Sequence, residues 1–180
     1  MIIHFAPTCA SFTRARQRNW LTRVRSAKKP WGLHNRTKAQ NEKVRAANRL
    51  AIATDELGWR AHSLLNADIS LENPDHSFIW NLGFYVWPGS KGARFSPCML
   101  DGDLAKPTKV RAWGIELPSL RPICSWFPSE EAFTCGRTRD RPHRHLSSNK
   151  PGEPRMATWQ AATYQPGTVK AWVGDIQQRS

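Results

Sequence analysis

The feature that most constrains this chain is a long, well-started helical pattern set between two short apolar runs. Thr37, followed three residues later by Gln40, has the form of a capping box. Val44, Ala47, Ala51, Thr54, Leu57, Ala61 and Leu64 then recur at spacings of three and four as far as Asn66. This predicts a helix over 38–66. Gly58 inside it costs about 1 kcal/mol relative to alanine, which a helix of this length absorbs. Before it, residues 1–6 (MIIHFA) are apolar and stop at Pro7; after it, residues 68–72 (DISLE) stop at Asn73-Pro74-Asp75. Proline cannot donate into a central ladder and restricts the residue before it, so each run reads as a strand ending in a loop.

Strand, helix and strand in that order form a βαβ unit, in which the two strands run parallel and open at the same carboxyl edge. Ligand sites of open α/β sheets form at that edge. The expected fold class is α/β: a partial Rossmann-like parallel sheet with helices and a loop-rich C-terminal region. A helical turn or two is expected after Ser77, a third strand near Phe95 to Leu100 and a fourth at Lys109 to Trp113. From Pro118 onward, prolines interrupt every pattern, and residues 136–156 are polar, basic and rich in Gly and Pro, which reads as loop. Thr158 to Gln177 reads as a terminal helix broken at Pro166-Gly167. With 180 residues the chain suits one domain, divided in sequence into an α/β region over 1–120, a Pro-rich basic loop region over 121–157 and a helical segment over 158–180.

Lys and Arg number 27 against 14 Asp and Glu, a formal charge of +13, so the field of the whole molecule attracts polyanions. Residues 1–41 contain no acid at all. Arg14, Arg16, Arg18, Arg23, Arg25, Lys28 and Lys29 crowd into a stretch that also carries Trp20 and Trp31, a basic arm with aromatic platforms. DNA is the expected partner; a solvated charge run is the plainer reading of the same residues. No apolar run approaches the roughly 20 residues of a membrane span, and the start has no basic region ahead of its apolar stretch, so neither a membrane nor secretion is expected.

Four cysteines, at 9, 98, 124 and 135, form no CxxC pair, which argues against a disulfide framework and for a reducing, intracellular compartment. Cys124, Cys135, His143 and His145 suggest a zinc site, but their spacing is poor for a zinc finger, and no metal is expected.

Two segments carry a family resemblance. Pro7-Thr8-Cys9-Ala10-Ser11-Phe12-Thr13, followed by Arg14, resembles the Pro-Cys loop of cytosine-5 DNA methyltransferases. Leu71-Glu72-Asn73-Pro74, followed by Ser77 and Trp80, resembles the Glu-Asn motif of a divergent branch of the same family. Softer matches are Cys98 to Gly102 followed by Lys106-Pro107-Thr108, with Lys106 where an arginine is usual, and Thr158 to Tyr164 near the end. The resemblance implies a methyltransferase-type sheet with Cys9 as nucleophile and Glu72 as the acid at the cytosine N3. It further implies that Asn73, Pro74 and Lys106 serve substrate binding and that the basic arm holds the DNA.

The chemistry ties these residue types together. Cytosine C5 is too poor a nucleophile to take a methyl group directly. A thiolate adding at C6, with a carboxylic acid hydrogen-bonding N3, converts the ring into an enamine-like nucleophile. A base inside a duplex is out of reach and must be flipped. The family also implies S-adenosyl-L-methionine, held by a Gly-rich turn upstream of the Pro-Cys loop. Gly83, Gly89 and Gly92 lack the strand before and helix after that such a turn needs. Thr8 also replaces the usual proline, and residues 113–158 show no evident target-recognition domain. The expectation is therefore an N-terminally truncated methyltransferase-like protein, incomplete for its cofactor unless a second chain supplies that half. The alternative is an inactive, basic nucleic-acid-binding remnant.

Overall fold

In a computed structural model, residues 1–14, 19–100, 106–124, 127–128, 133–134 and 166–178 are described. The elements are β1 (Ile2–Phe5), α1 (Lys38–Leu65), β2 (Asp68–Pro74), β3 (Lys91–Phe95), β4 (Thr108–Trp113), β5 (Phe127–Pro128), β6 (Phe133–Thr134) and α2 (Pro166–Gln177), with 3-10 turns at Phe78–Asn81 and Pro97–Leu100. The first four strands make an open sheet in the order β1-β2-β4-β3, and β5 pairs antiparallel with β6. The architecture is mixed α/β.

The chain divides into two compact units. One comprises Met1–Gly92 with Lys109–Glu116, the other Ala93–Thr108 with Leu117–Ser180.

The first unit is built on the βαβ unit. β1 and β2 pair in parallel, with Ile2 opposite Asp68 and Phe5 opposite Leu71, so both strands end at one edge. α1 begins where its capping residues put it: Gln40 N–H donates to Thr37 Oγ1, and Thr37 N–H donates to Gln40 Oε1. It ends at Asn66, which adopts φ 48° and donates its N–H to the Ala61 carbonyl. The helix buries Val44, Ala47, Ala51, Thr54, Gly58 and Ala61. Gly58 has a packing reason as well as a helical cost: a Cβ there would lie inside van der Waals contact of the Trp87 indole. The core of this unit gathers Phe12, Ala47, Ala51, Ile69, Leu71, Phe78, Ile79, Tyr85, Trp87 and Trp113. Trp87 and Trp113 rings pack 4.0 Å apart between centroids.

The loop after the 3-10 turn is fastened to α1 through Asp55. Its Oδ1 accepts from Tyr85 N–H at 2.9 Å and from Trp87 Nε1 at 3.0 Å, while the Tyr85 hydroxyl donates to the Ala51 carbonyl at 2.9 Å. These bonds hold Tyr85 at φ 60°, a conformation a bulky residue adopts only when its surroundings dictate it.

In the second unit, α2 packs on the Pro97–Leu100 turn, and Asp175 Oδ2 accepts from Ser119 N–H at 3.0 Å. One expectation changes here. Residues 97–100 form a 3-10 turn and the strand lies earlier, at Lys91–Phe95. Pro97 explains this, because its fixed φ opens a helical turn readily and it has no N–H for a ladder. The last helix is described over Pro166–Gln177, and the part of the expected helix before Pro166 lies outside the described residues. Thr158 to Tyr164, and the zinc candidates Cys135, His143 and His145, lie outside the described residues.

Candidate functional site

The two motif segments meet at the carboxyl edge of the β1–β2 pair. Since Phe5 stands opposite Leu71, Pro7 and Asn73 fall at the same level, two residues farther along each chain. Asn73 Nδ2 donates to the Pro7 carbonyl at 2.8 Å in a buried bond. The Cys9 loop is thereby tied by a side chain to the end of β2, which runs on through Glu72, Asn73 and Pro74 rather than stopping at Asn73. Glu72 is buried at 7% exposure, Asn73 at 1%, and Cys9 is half-buried with a free thiol. The Cys9 carbonyl accepts from both Phe12 and Thr13 N–H at 2.9 Å, which rolls residues 9–13 into a tight turn. Asn73 Oδ1 is buried without a hydrogen-bond partner, a group for which a folded chain normally finds one.

Both segments are braced from the far side. Phe78 N–H donates to the Phe12 carbonyl at 2.9 Å, and Trp80 Nε1 donates to the Pro74 carbonyl at 2.9 Å. The turn that follows the Glu-Asn-Pro segment therefore grips both it and the cysteine loop. Ser77 starts this turn by accepting from Ile79 N–H.

The basic arm does not behave as a single surface. Arg23, Lys28 and Lys29 are exposed, as is Trp20 at 81%. Arg25 is not: it is 1% exposed and therefore stands apart from the DNA-facing group in which its sequence context placed it. Its guanidinium lies 3.8 Å from the Phe12 ring centroid and donates to Ser11 Oγ, Asn48 Oδ1 and the Pro30 and Val44 carbonyls. Burial, with the nearby Arg36 charge adding to it, pulls its pKa down to about 10, so it remains a cation at neutral pH. It is a strut fastening the Cys9 loop to α1. Arg16 and Arg18 lie outside the described residues.

Two cations flank the turn behind the site. Arg14, exposed, holds its guanidinium 5.5 Å from the Phe78 ring centroid, and Lys109 holds its ammonium 4.9 Å from that of Trp80. Sequence reading missed Lys109 and favoured Lys106. Lys106 belongs to the second unit, where it is half-buried and its carbonyl accepts from Thr108 Oγ1. The available signal was the period of two in β4, where half-buried Lys109 and Arg111 alternate with buried Thr108, Val110 and Ala112.

Beside the cysteine loop runs a groove of about 480 Å³, lined by Thr8, Ala10 and Ser11, by Leu21, Thr22 and Val24, and by α1 from Ala39 to Leu50. Among the described residues no group of three His, Cys, Asp or Glu side chains is placed to hold a metal ion. No helix among them is long and apolar enough to cross a membrane.

Comparison with protein-family models, with curated proteins and with solved structures finds no match.

Proposed function

We propose that this protein binds DNA and engages a flipped cytosine with Cys9 and Glu72, in the manner of a cytosine-5 methyltransferase whose sheet is of the Rossmann-like, methyltransferase type. The observation that carries the reading is the buried Asn73-to-Pro7 hydrogen bond, because it joins at one sheet edge the two segments on which the resemblance rests. In the proposed chemistry the Cys9 thiolate adds to C6 of the base while Glu72, protonated, hydrogen-bonds N3 and takes up the developing charge. Asn73 and Pro74 shape the pocket wall. The net charge of +13 and the exposed Arg14, Arg23, Lys28 and Lys29 supply the phosphate attraction that any such protein needs.

S-Adenosyl-L-methionine does not fit the described residues. β1 runs into Ala6-Pro7-Thr8 and β2, which ends on Pro74, into Asp75-His76-Ser77, so neither parallel strand opens into the glycine-lined turn that lets a backbone approach such a cofactor. No step is therefore routed through a methyl donor, and a second chain carrying that half is the partner this reading calls for.

The test needs no donor. Addition of a thiolate at C6 lets C5 take a proton from solvent, and reversal can then release the original hydrogen. DNA carrying tritium at cytosine C5 should lose it to water in the presence of the protein. Cys9→Ser should abolish the release and Glu72→Gln should slow it severely. DNA that is bound without any release from the wild-type chain would instead establish the second reading, a basic DNA-binding protein without catalysis. Its affinity should then fall steeply with salt and be indifferent to both substitutions.

A further inference from the structure

α1 carries two interleaved rows of apolar residues, each repeating every seventh position. Leu50, Leu57 and Leu64 make one row, and Ala39, Ala46 and Ala53 make the other. Rows with this repeat, offset from each other by three and four positions, form the seam of a coiled coil. The leucines share the three-and-four pattern of the helix, yet they are 44%, 58% and 77% exposed; Ala39 and Ala46 are exposed and Ala53 is half-buried. The stripe therefore lies beside the face that α1 turns to its own core through Val44, Ala47 and Ala51. A contiguous apolar stripe on a surface marks a place where chains meet.

Its two halves differ in shape. Over the first half, Ala39, Lys43, Ala46 and Leu50 line the groove of about 480 Å³, whose lining also includes Leu21 and Val24. Over the second half, Leu57 and Leu64 stand out into solvent. A surface with a groove at one end and knobs at the other is complementary to itself when turned about a two-fold axis.

We propose that α1 pairs antiparallel with α1 of a second copy of this chain, with Leu57 and Leu64 of each protomer seated in the groove of the other. In this register Leu50 meets the partner's Ala53, Leu57 the partner's Ala46 and Leu64 the partner's Ala39. Each of these layers sets a large side chain against a small one, so the two helices can approach closely. A parallel pairing would stack leucine on leucine and alanine on alanine. Charge points the same way. Exposed Arg49 and Glu56 each stand one position before a seam leucine, on the flank away from the core, and the antiparallel register brings Arg49 of each copy to Glu56 of the other. Lys43 and Arg60 meet toward the ends of the seam, where their stems cover apolar surface and their charges reach water. The pairing does not rest on the role proposed for Cys9.

Sedimentation velocity on the full chain, freed of nucleic acid, should show a dimer whose share grows with concentration. Leu57→Lys and Leu64→Lys replace exposed side chains and should leave the denaturation midpoint in place while weakening the dimer about tenfold or more. Arg49→Glu alone and Glu56→Arg alone should each weaken it by setting like charges together, and the two changes made in one chain should restore it. A chain that stays monomeric at every concentration overturns the proposal, as does a dimer that neither lysine variant weakens. A paired charge reversal no better than the single ones overturns the antiparallel register. A monomer that Leu64→Lys destabilises would instead assign the stripe to a segment of its own chain.

Discussion

Asn73 reaches from the end of β2 to the carbonyl of Pro7, 2.8 Å away, and so fixes the cysteine loop against the strand beside it. The bond is buried, which makes its loss more costly than its presence is stabilising, because the Pro7 carbonyl would be left without a donor. Asn73→Ala should lower the stability of the fold by about 1–3 kcal/mol, seen as a lower urea midpoint at unchanged slope. Asn73→Asp keeps the shape but turns a carboxylate oxygen toward a carbonyl oxygen, and should cost at least as much. Cys9 should react faster with a thiol reagent in either variant, since the loop that half-buries it is released. A cysteine rate equal to wild type in both would show that the bond does not hold the loop.

The cations of the arm divide into one that supports the fold and several that face outward. Arg25→Ala removes a guanidinium that serves Ser11, Asn48 and two backbone carbonyls, so a loss of about 2–3 kcal/mol is expected. Arg25→Lys cannot reproduce the planar fork and should recover only part of it. Exposed Lys28→Gln and Lys29→Gln should leave stability within about 0.5 kcal/mol of wild type. Each should instead lower the slope of log affinity for DNA against log salt by about one. Equal effects of Arg25→Ala and Lys28→Gln on the denaturation midpoint would contradict this division.

The parts that were legible in the sequence are those with strong local causes. The helix expected over 38–66 is found at Lys38–Leu65, because the Thr37–Gln40 box and the three-and-four spacing both act within a few residues. Pro7 and Pro74 likewise mark where β1 and β2 give way to loops. What was not legible depends on partners far away in the chain. Arg25 sits in a run of cations identical in kind, and only acceptors from Ser11, Pro30, Val44 and Asn48 draw it inward. The alternation within β4 marks Lys109 as outward-facing, but that Trp80 comes beneath it depends on a segment almost thirty residues away. Residues 95–100 misled for a local reason: they read as a strand, yet Pro97 suits the start of a 3-10 turn, and the strand lies before it at Lys91–Phe95.

Gly58 offers a test in which propensity and packing oppose each other. Alanine in a helix interior is favoured over glycine by about 1 kcal/mol. Here its Cβ would meet the six-membered edge of the Trp87 indole, which is held by its Nε1 bond to Asp55 and by packing on Trp113. Overpacking of this kind costs roughly 1–3 kcal/mol, so Gly58→Ala should be destabilising on balance. Trp87→Leu should relieve it, leaving Gly58→Ala neutral or stabilising in that background. A stabilising Gly58→Ala in the unmodified chain would show that Trp87 moves aside freely.

Tyr85 should make the fold sensitive to alkali. Burial is the main reason its phenol resists ionisation, and the Asp55 carboxylate adds to this, so its pKa lies well above the ordinary value. In the unfolded chain it would ionise at about pH 10. Below that pH both states hold the proton and stability is unaffected. Above it the unfolded state loses protons that the folded state keeps, so stability falls as pH rises. Denaturation midpoints measured between pH 8 and pH 12 should decline beyond about pH 10, and the decline should be shallower in Tyr85→Phe. The phenolate absorbance of Tyr85 should appear together with unfolding rather than ahead of it. If that residue ionised freely while the far-ultraviolet circular dichroism stayed native, the hydroxyl could not be held against the Ala51 carbonyl as it is here.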